Sequence, residues 1–260
     1  LTDDDTTAAG AYVAYPKKGL HDWIGSIDIN SLYPSVIRAL NMAPETIVGQ
    51  LRPTLTEETI EQRMTVEKKS FAGAWEGEFG SFEYQAVMRK DRSQSITIDW
   101  ENGETNILSA AEVYELIYNN NQPWILSANG TIFTHEFAGV IPGLLERWYA
   151  ERKELQAKKK KAIDANNPTE TAFWDKRQLV KKINLNSLYG AILNPGCRFF
   201  DTRIGQSTTL TGRCITKHMA AKTNEIICGE YDYRGESIIY GDTDSVYFSA
   251  YKYLKADIEA

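Results

Sequence analysis

The sequence has little of what marks several large classes of protein. Its 260 residues contain three cysteines, at 197, 214 and 228, no CxxC pair and three histidines, which argues against a disulfide-built scaffold and against a zinc site. No stretch approaches the ~18 consecutive apolar residues of a membrane-spanning helix. The N-terminus is acidic and lacks the apolar segment of a secretory signal. We therefore expect a cytoplasmic protein without a membrane partner.

What the sequence does contain is a strongly uneven distribution of charge. The composition, 42% hydrophobic and 25% charged, is ordinary for a folded protein, and the formal net charge is -6. Between Arg147 and Lys222, 16 Lys and Arg stand against 6 Asp and Glu, a net charge of +10, whereas the remainder carries -16. Such asymmetry indicates a nucleic-acid partner. A solvated basic helix face would leave the same pattern.

The hydrophobic pattern predicts a mixture of helices and strands. We expect a buried strand at 23–29, a helix from Pro34 to Leu40 and, at 237–248, two short strands around a turn. Two long helices, at about 141–166 and 169–193, are separated by a few polar residues and predict a helical hairpin. The remaining predicted elements are a charged helix at 57–69, strands at 95–100 and 197–204, and helices at 110–118 and 208–228.

The first segment that predicts chemistry is DINSLYPS, residues 28–35. Asp28 ends an apolar strand, where an unpaired buried charge is costly but a charge that binds a cation is tolerated. The backbone N–H groups of the following turn and first helical residues have no intrahelical acceptor, so they can bind phosphate oxygens. The segment is typical of a site for a metal-bound polyphosphate, and equally of a strand-end Asp that caps a helix.

The second segment is YGDTDS, residues 240–245, in which Asp242 and Asp244 flank Thr243. Like charges this close repel unless a cation neutralises them, and carboxylate oxygens suit hard ions such as Mg²⁺. The pattern of a calcium loop fails because Val246 takes a ligand position and the glycine is absent. An ordinary Asp-rich turn is the alternative, but the apolar flanks argue against a solvent-screened turn.

The third segment is KINLNSLYG, residues 182–190. At 100° per residue, Gln178, Lys182, Asn186 and Tyr189 share one helix face, which offers a cation for a phosphate, an amide and an aromatic ring for a base. Gly190 either allows close approach of another group or breaks the helix. A solvated helix face remains the alternative.

Taken together and in this order, the three segments resemble the polymerase motifs of the B family of DNA polymerases, in particular its T-even-type bacteriophage branch. They match the family patterns D-x-x-S-L-Y-P-S, K-x-x-x-N-S-x-Y-G and Y-G-D-T-D-S without departure. Residues 41–47 and 127–130 also look like the phage branch. The resemblance covers about residues 10–50 and 125–250, and residues 51–124 do not align.

The resemblance implies template-directed DNA synthesis, in which a two-metal centre transfers a dNTP to a primer 3′-hydroxyl. Asp28 and Asp244 would be the principal ligands of two Mg²⁺ ions, for which Mn²⁺ can substitute, and Asp242 an auxiliary acid. The triphosphate would be bound by the side chains of Arg152, Lys182 and Asn186 and by the backbone amides of Ser31, Leu32 and Tyr33.

The resemblance also implies two contacts to the sugar and base. The Tyr33 ring would act as a steric gate against a 2′-hydroxyl, and Tyr189 and Gly190 would line the nascent base pair. One position departs from the family, which often has a Lys four residues after the Arg matched by Arg152. This chain has Gln156 there, so Lys158 or Lys159 is expected to supply the missing charge.

The implied fold class is α+β, a polymerase palm with an antiparallel sheet and packed helices plus a two-helix fingers hairpin. We expect the first part of the palm at 1–140, with an unassigned insertion at about 51–124, the fingers at 141–193, and the second part of the palm, with the Asp-Thr-Asp hairpin, at 194–260. Exonuclease motifs and a thumb are not found and the first residue is Leu. We therefore expect a piece of a larger polymerase whose exonuclease and thumb segments form a separate chain or have been removed.

The implied partners are primer–template DNA and dNTP, and the implied setting is the cytoplasm of a bacterial host in which a viral protein acts. The main alternative is a non-catalytic polymerase-like fragment that binds primer–template DNA or a partner polymerase subunit. A reverse transcriptase is disfavoured because its paired carboxylates usually stand adjacent, and a calcium-binding module is the least favoured reading.

Overall fold

The computed structural model describes residues 10–53, 62–68, 92–93, 95–119 and 121–258, and these residues form an α+β fold with two antiparallel sheets. The strands are β1 (Ile24–Asp28), β2 (Ile47–Pro53), β3 (Ser95–Trp100), β4 (Thr105–Ser109), β5 (Trp124–Leu126), β6 (Thr131–Thr134), β7 (Ile238–Asp242) and β8 (Ser245–Ser249). The α-helices are α1 (Leu32–Ala39), α2 (Ala110–Tyr114), α3 (Val140–Asp164), α4 (Pro168–Ile192), α5 (Thr202–Cys228) and α6 (Tyr251–Ile258).

The smaller sheet brings the first segment and the second segment together. Its strand order is β1-β8-β7, so β8 lies between two strands that are more than 200 residues apart in the chain. Asp28 stands opposite Ser245 on one side of β8, and Asp242 stands opposite the same Ser245 on the other. The two acids are therefore in register across the sheet.

The larger sheet, of order β4-β3-β2-β6-β5, has a core of its own. Apolar side chains of the sheet pack against α2 and the π-helical turn Glu115–Asn119 that follows it. The buried members include Leu51, Ile96, Ile98, Val113 and Ile132. The described part of residues 51–124 thus contributes two of the five strands, β3 and β4, and the end of β2, so it is an integral part of the larger sheet.

A second core joins α1, α3, α4 and α5 and includes Phe133 of β6. It contains Ile37, Phe133, Leu145, Leu185 and Ile204, all with exposed fractions of 3% or less. Helix α5 also packs against β7 and β8, and thus connects this core to the hairpin that carries Asp242 and Asp244. Among the described residues, no helix is both long enough and apolar enough to cross a bilayer.

Several local predictions are confirmed. The helical hairpin exists as α3 and α4, which turn at 165–167, and the two short strands exist as β7 and β8. The strand at 95–100 is β3, and the helix at 110–118 is α2 with its π-helical continuation. Of the charged helix expected at 57–69, residues 62–65 are helical and the flanking 57–61 and 69 lie outside the described residues.

Other local predictions are wrong. The strand expected to be buried, β1, is largely exposed, because it lies at the edge of its sheet and pairs with β8 alone among the described residues. The helix expected from Pro34 begins at Leu32. Pro34 occupies its third position, where the missing N–H costs nothing because the first turn has no intrahelical acceptors.

The strand expected at 197–204 is a run of turns followed by the start of α5 at Thr202, six residues before the expected helix start. Asp201 explains the difference. Its side chain accepts the backbone N–H of Arg203 at 2.8 Å, and an N-cap of this kind favours a helix over an extended chain.

Candidate functional site

A cleft of about 440 Å³ lies where the smaller sheet, the start of α1 and the helical hairpin meet. It collects residues from all three sequence segments, although the first is more than 140 residues from the other two in the chain. The lining residues are Asp28, Asn30, Ser31, Leu32, Tyr33, Pro34, Arg152, Lys182, Asn186, Thr243 and Asp244. A larger cavity of about 580 Å³ beside residues 11–17 has no carboxylate among its described lining residues, so these offer no acidic ligand for a metal ion.

Asp28 and Asp244 form one side of the cleft, which we call the acidic wall. The backbone N–H of Ile29 donates to the carbonyl of Asp244 at 2.8 Å, so the two acids are joined through the main chain. Burial raises the pKa of Asp244, and the charges of Asp28 and Asp242 raise it further. The repulsion between these carboxylates is what a bound cation would relieve.

Asp242 is close to this wall but does not line the cleft. It lies one strand beyond Ser245, and two strand spacings place its Cα about 10 Å from that of Asp28. Its carboxylate accepts the Thr243 hydroxyl at 2.8 Å and the Tyr240 hydroxyl at 3.3 Å. These contacts suit a supporting role for Asp242.

The floor of the cleft is the beginning of α1. The N-cap residue Ser31 is in the left-handed region with φ of 54°, its side chain makes no capping hydrogen bond, and the first turn contains no acidic residue. The first amides of a helix have no intrahelical acceptor and carry a partial positive charge. The turn at Ser31, Leu32 and Tyr33 can therefore hold an anion against the cleft floor.

Arg152, Lys182 and Asn186 form the opposite side of the cleft, which we call the basic wall. Arg152 is buried, and its guanidinium donates to Gln178 Oε1 at 3.4 Å and to Ser31 Oγ at 3.5 Å, so it spans from the hairpin to the floor. Lys182 and Asn186 follow one helical turn apart on α4 and are exposed to solvent. A ligand between the walls would meet carboxylates on one side and cations on the other.

Tyr33 and Tyr189 close one end of the cleft and rest on α5. Their ring centroids are 4.6 Å apart at an interplanar angle of 38°. The Tyr189 hydroxyl lies 2.6 Å from Thr209 Oγ1, and a Cβ added at Gly212 would stand 3.1 Å from Tyr33 Cε1. Burial is the main cause that raises the pKa of Tyr33 to about 12, so its hydroxyl stays protonated at neutral pH.

Besides Asp242, two of the expected site residues lie outside the cleft lining. Tyr189 contacts it through the Tyr33 ring, and Gly190 is exposed with open space where a side chain would be. The expected replacement of Gln156 does not occur in this conformation: Lys158 lies 5.0 Å from the centroid of the Trp174 ring, and Lys159 pairs with Asp175 at 2.6 Å. Neither lysine faces the cleft.

The sequence analysis missed the residues of α5 that support the site. Thr209, Gly212 and Thr216 contact Tyr189, Tyr33 and Thr243 respectively. Their spacing of three and four residues places them on one helix face, which is the signal that could have found them. This spacing predicts that the three residues share a packed face, but it does not predict which residues they contact.

The donor set at the acidic wall is compatible with a magnesium ion. Within the part of the chain that the structure describes, no cluster of three or more His, Cys, Asp or Glu side chains is arranged to hold a metal. Mg²⁺ usually keeps several waters and is bound by one or two carboxylates together with substrate phosphates. Asp28 and Asp244 fit that pattern, because phosphate held at the α1 turn would complete the site.

A family model described as "DNA polymerase family B" matches residues 2–257. The match spans the smaller sheet, the hairpin and α5, and it also spans residues 51–124, which the sequence analysis did not align. It agrees with the resemblance inferred from the three segments.

Individual relatives are also similar to the chain. A "DNA-directed DNA polymerase" of Escherichia phage RB69 is 27% identical over 263 residues, and one of Enterobacteria phage T4 is 27% identical over 257. A "DNA polymerase" of Trichoplusia ni ascovirus 2c is 24% identical over 306 aligned residues. The alignments cover 94%, 95% and 95% of this chain respectively, but only 27%, 27% and 28% of those relatives. The chain thus spans little more than a quarter of their length.

Proposed function

The chain belongs to DNA polymerase family B, and from this premise we propose that it carries a centre for template-directed DNA synthesis, which joins a dNTP to a primer 3′-hydroxyl. The observation that carries the proposal is the cleft itself, in which paired carboxylates face cations across the beginning of a helix. A metal-bound triphosphate is the ligand that satisfies all three surfaces. We assign residues 1–140 and 194–260 to the palm and 141–193 to the fingers.

In this proposal Asp28 and Asp244 hold two Mg²⁺ ions, or Mn²⁺ in their place, and Asp242 supports them. When bound, the ions lower the pKa of the primer 3′-hydroxyl and neutralise charge on the phosphates. Burial, and then the charges of Asp28 and Asp242, raise the pKa of Asp244, which supports the assignment because a bound cation would stabilise the ionised carboxylate against both effects. Asp242 contributes negative charge and orients Thr243 through the hydroxyl that it accepts.

The chain's remaining groups bind and orient the nucleotide. Amides at Ser31, Leu32 and Tyr33 hold the β- and γ-phosphates, where the helix dipole favours negative charge. Arg152 reaches the same turn and donates to Gln178. Its guanidinium is therefore already ordered, and it loses little conformational entropy when a phosphate binds. Lys182 and Asn186 approach from solvent and contribute charge and a hydrogen-bonding amide.

Tyr33 selects the sugar by exclusion in this proposal. Its ring is fixed between Tyr189 and Gly212, so it cannot withdraw to make room for a 2′-hydroxyl. Tyr189 is in turn held by Thr209, and with the open space at Gly190 it faces the nascent base pair. The sugar and the base of the nucleotide would then contact neighbouring side chains, Tyr33 and Tyr189, which pack against each other.

The partners follow from the same chemistry. The surplus of cations between Arg147 and Lys222 supports contact with the phosphates of primer–template DNA. Because the chain spans little more than a quarter of its relatives, we also propose exonuclease and thumb segments as separate or removed parts. The similarity to phage polymerases supports action in the cytoplasm of a bacterial host. A non-catalytic fragment that binds primer–template DNA or a polymerase subunit is the second candidate, favoured by the same short span.

Primer extension by the purified 260-residue chain separates the two candidates. We expect extension of a labelled primer by the templated dNTP when Mg²⁺ is present and none in EDTA, with restoration when Mg²⁺ is added back in excess. Binding of primer–template DNA without extension, at any Mg²⁺ or Mn²⁺ concentration and with supplied thumb and exonuclease segments, would instead support the non-catalytic fragment.

A further inference from the structure

The turn that carries Asp244 has an unfavourable backbone conformation. Thr243, the first residue of the two-residue loop between β7 and β8, has φ of +54°. A β-branched side chain is poorly tolerated in the left-handed region, and such a residue persists only where its surroundings hold it. What holds Thr243 therefore also fixes the next residue, Asp244.

Three hydrogen bonds hold Thr243, and each comes from a different part of the chain. Its backbone N–H donates to the carbonyl of Tyr12 at 2.8 Å, and its hydroxyl donates to Asp242 Oδ1 at 2.8 Å. Its carbonyl accepts the hydroxyl of Thr216 at 2.6 Å. Thr216 is fully buried on α5, so water does not compete for this contact.

Of two possible acceptors, the Thr216 hydroxyl donates its proton to the carbonyl of Thr243. The hydroxyl also lies 3.1 Å from the carbonyl of Gly212, one helical turn earlier. That carbonyl already has the backbone N–H of Thr216 as its α-helical partner, and a hydroxyl has a single proton to donate. The shorter contact, to Thr243, therefore takes the proton.

The carbonyl of Thr243 and the N–H of Asp244 belong to one planar peptide group. The Asp244 N–H donates to the carbonyl of Asp242 at 2.6 Å, and the Asp244 carbonyl accepts from Ile29. A hydrogen bond that fixes the Thr243 carbonyl consequently also fixes the orientation of the peptide group between Thr243 and Asp244. Asp28 lies just before Ile29, so the same contact keeps the two acids side by side.

From these contacts we infer that Thr216 is a positioning residue, which holds the strained turn so that Asp244 stays beside Asp28. The consequence for catalysis rests on the proposed function, whereas the consequence for the turn does not. Thr216 touches neither nucleotide nor metal in this account and acts through Thr243 alone.

Three variants test the inference. Thr216→Val keeps the size and removes the hydroxyl, and Thr216→Ser restores the hydroxyl. Thr223→Val is the matched control, because Thr223 is also buried on α5 but its hydroxyl donates within the helix, to the carbonyl of Met219 at 2.8 Å. Should Thr216→Val fail to fold, Thr216→Cys replaces it, since a thiol is a weak donor of similar size.

The first measurement is amide hydrogen exchange of the metal-free chain. We expect Thr216→Val to speed exchange at the Thr243 and Asp244 amides by about tenfold, the effect of one lost hydrogen bond. Thr216→Ser and Thr223→Val should exchange there as the unmodified chain does. Equal exchange in Thr216→Val and Thr223→Val would overturn the inference.

The second measurement is the Mg²⁺ dependence of primer extension. We expect Thr216→Val to lower kcat by about tenfold and to raise the Mg²⁺ concentration for half-maximal rate, with the KM for dNTP unchanged. Faster exchange with an unaltered kcat and Mg²⁺ requirement would overturn the positioning role. A wild-type chain that extends no primer would contradict the proposed function, while hydrogen exchange would still decide whether Thr216 holds the turn.

Discussion

The acidic wall belongs to a sheet that is packed against α5, whereas the basic wall belongs to a hairpin whose distal half lies outside the core. Helix α5 buries thirteen of its residues, and its contacts reach both Tyr33 and the turn at Thr243. In the distal half of the hairpin, residues 153–178, Ala162 alone is buried. The turn that carries Asp244 is thus fixed by buried contacts, whereas the hairpin outside its buried base is held largely by surface contacts such as the ion pairs Lys181–Glu151 and Lys159–Asp175.

This difference indicates what each wall contributes. A carboxylate that shares a cation must be placed accurately, because metal coordination depends steeply on geometry. A solvated lysine attracts phosphate over a longer range and tolerates movement. We therefore expect changes to the acidic wall to abolish the rate, and changes to the basic wall to alter the concentration of nucleotide that is needed.

The largest expected effect is at the acidic wall. Asp28→Ala or Asp244→Ala should lower the rate of primer extension by about 10³-fold or more while the chain remains folded, because each removes a ligand of the proposed metal ions. Asp164→Ala, at the exposed end of α3, is the control and should extend at the normal rate. Near-normal extension by either acidic-wall variant would contradict the expectation that the acidic wall, unlike the basic wall, determines the rate.

The next effect is on the choice of sugar. Tyr33→Ala should reduce the discrimination between dNTP and rNTP, measured as the ratio of their kcat/KM values, by about 100-fold, because the ring no longer blocks a 2′-hydroxyl. Tyr33→Phe keeps the ring and should discriminate as the unmodified chain does. If Phe and Ala behave alike, the hydroxyl rather than the ring makes the selection.

A smaller effect is expected at the basic wall. Lys182→Ala should raise the KM for dNTP about tenfold with kcat little changed, since one charge-assisted contact to phosphate is lost. The difference should shrink as salt is added, because the lysine is exposed. Lys176→Ala, also exposed and on the same helix, is the control. A loss in kcat instead of KM would place Lys182 with the residues that must be positioned accurately.

The smallest effect concerns stability and pH. The pKa of Asp244 is raised above the unfolded value of 3.8 by burial and by the neighbouring acids. The folded state therefore binds this proton more tightly than the unfolded state, so the ionised carboxylate destabilises the fold at neutral pH, and this cost disappears as pH falls through the raised pKa. Asp244→Asn should raise Tm at pH 7 by about 1–2 °C in the absence of metal.

Thermal melts across pH check this prediction. The gain from Asp244→Asn should vanish as the pH approaches 3.8. Saturating Mg²⁺ should raise the Tm of the unmodified chain more than that of the variant, because the variant lacks one of the proposed carboxylate ligands. A gain that persists at low pH would show that Asp244 is not the group responsible.

The parts of the fold that the sequence predicts are those governed by local rules. The helices α3 and α4 follow from helical periodicity and a short polar connection, and the β7–β8 turn from its Asp-Thr-Asp centre between apolar runs. The exposure of β1 depends on its place at the edge of a sheet, and the early start of α5 on the cap at Asp201. Neither the exposure of β1 nor the start of α5 can be predicted from the residues within that element alone.

The same division holds at the candidate site. Asp28, Lys182 and Asp244 could be found because the three segments that contain them, taken together and in order, resemble the motifs of one family, although each segment alone has an ordinary structural alternative. Thr216 could not, because a threonine within a helix is common and its partner Thr243 lies 27 residues later. Groups that act on a ligand leave a chemical signature, whereas groups that hold them leave only a packing contact.

The most direct test of the central claim counts divalent ions. Electron paramagnetic resonance can measure Mn²⁺ bound per chain in the presence of primer–template DNA and a non-hydrolysable dNTP. The account predicts two ions bound to the unmodified chain and at most one to Asp28→Ala or Asp244→Ala. Equal numbers of ions in all three proteins would show that these carboxylates hold no metal together and would contradict the account.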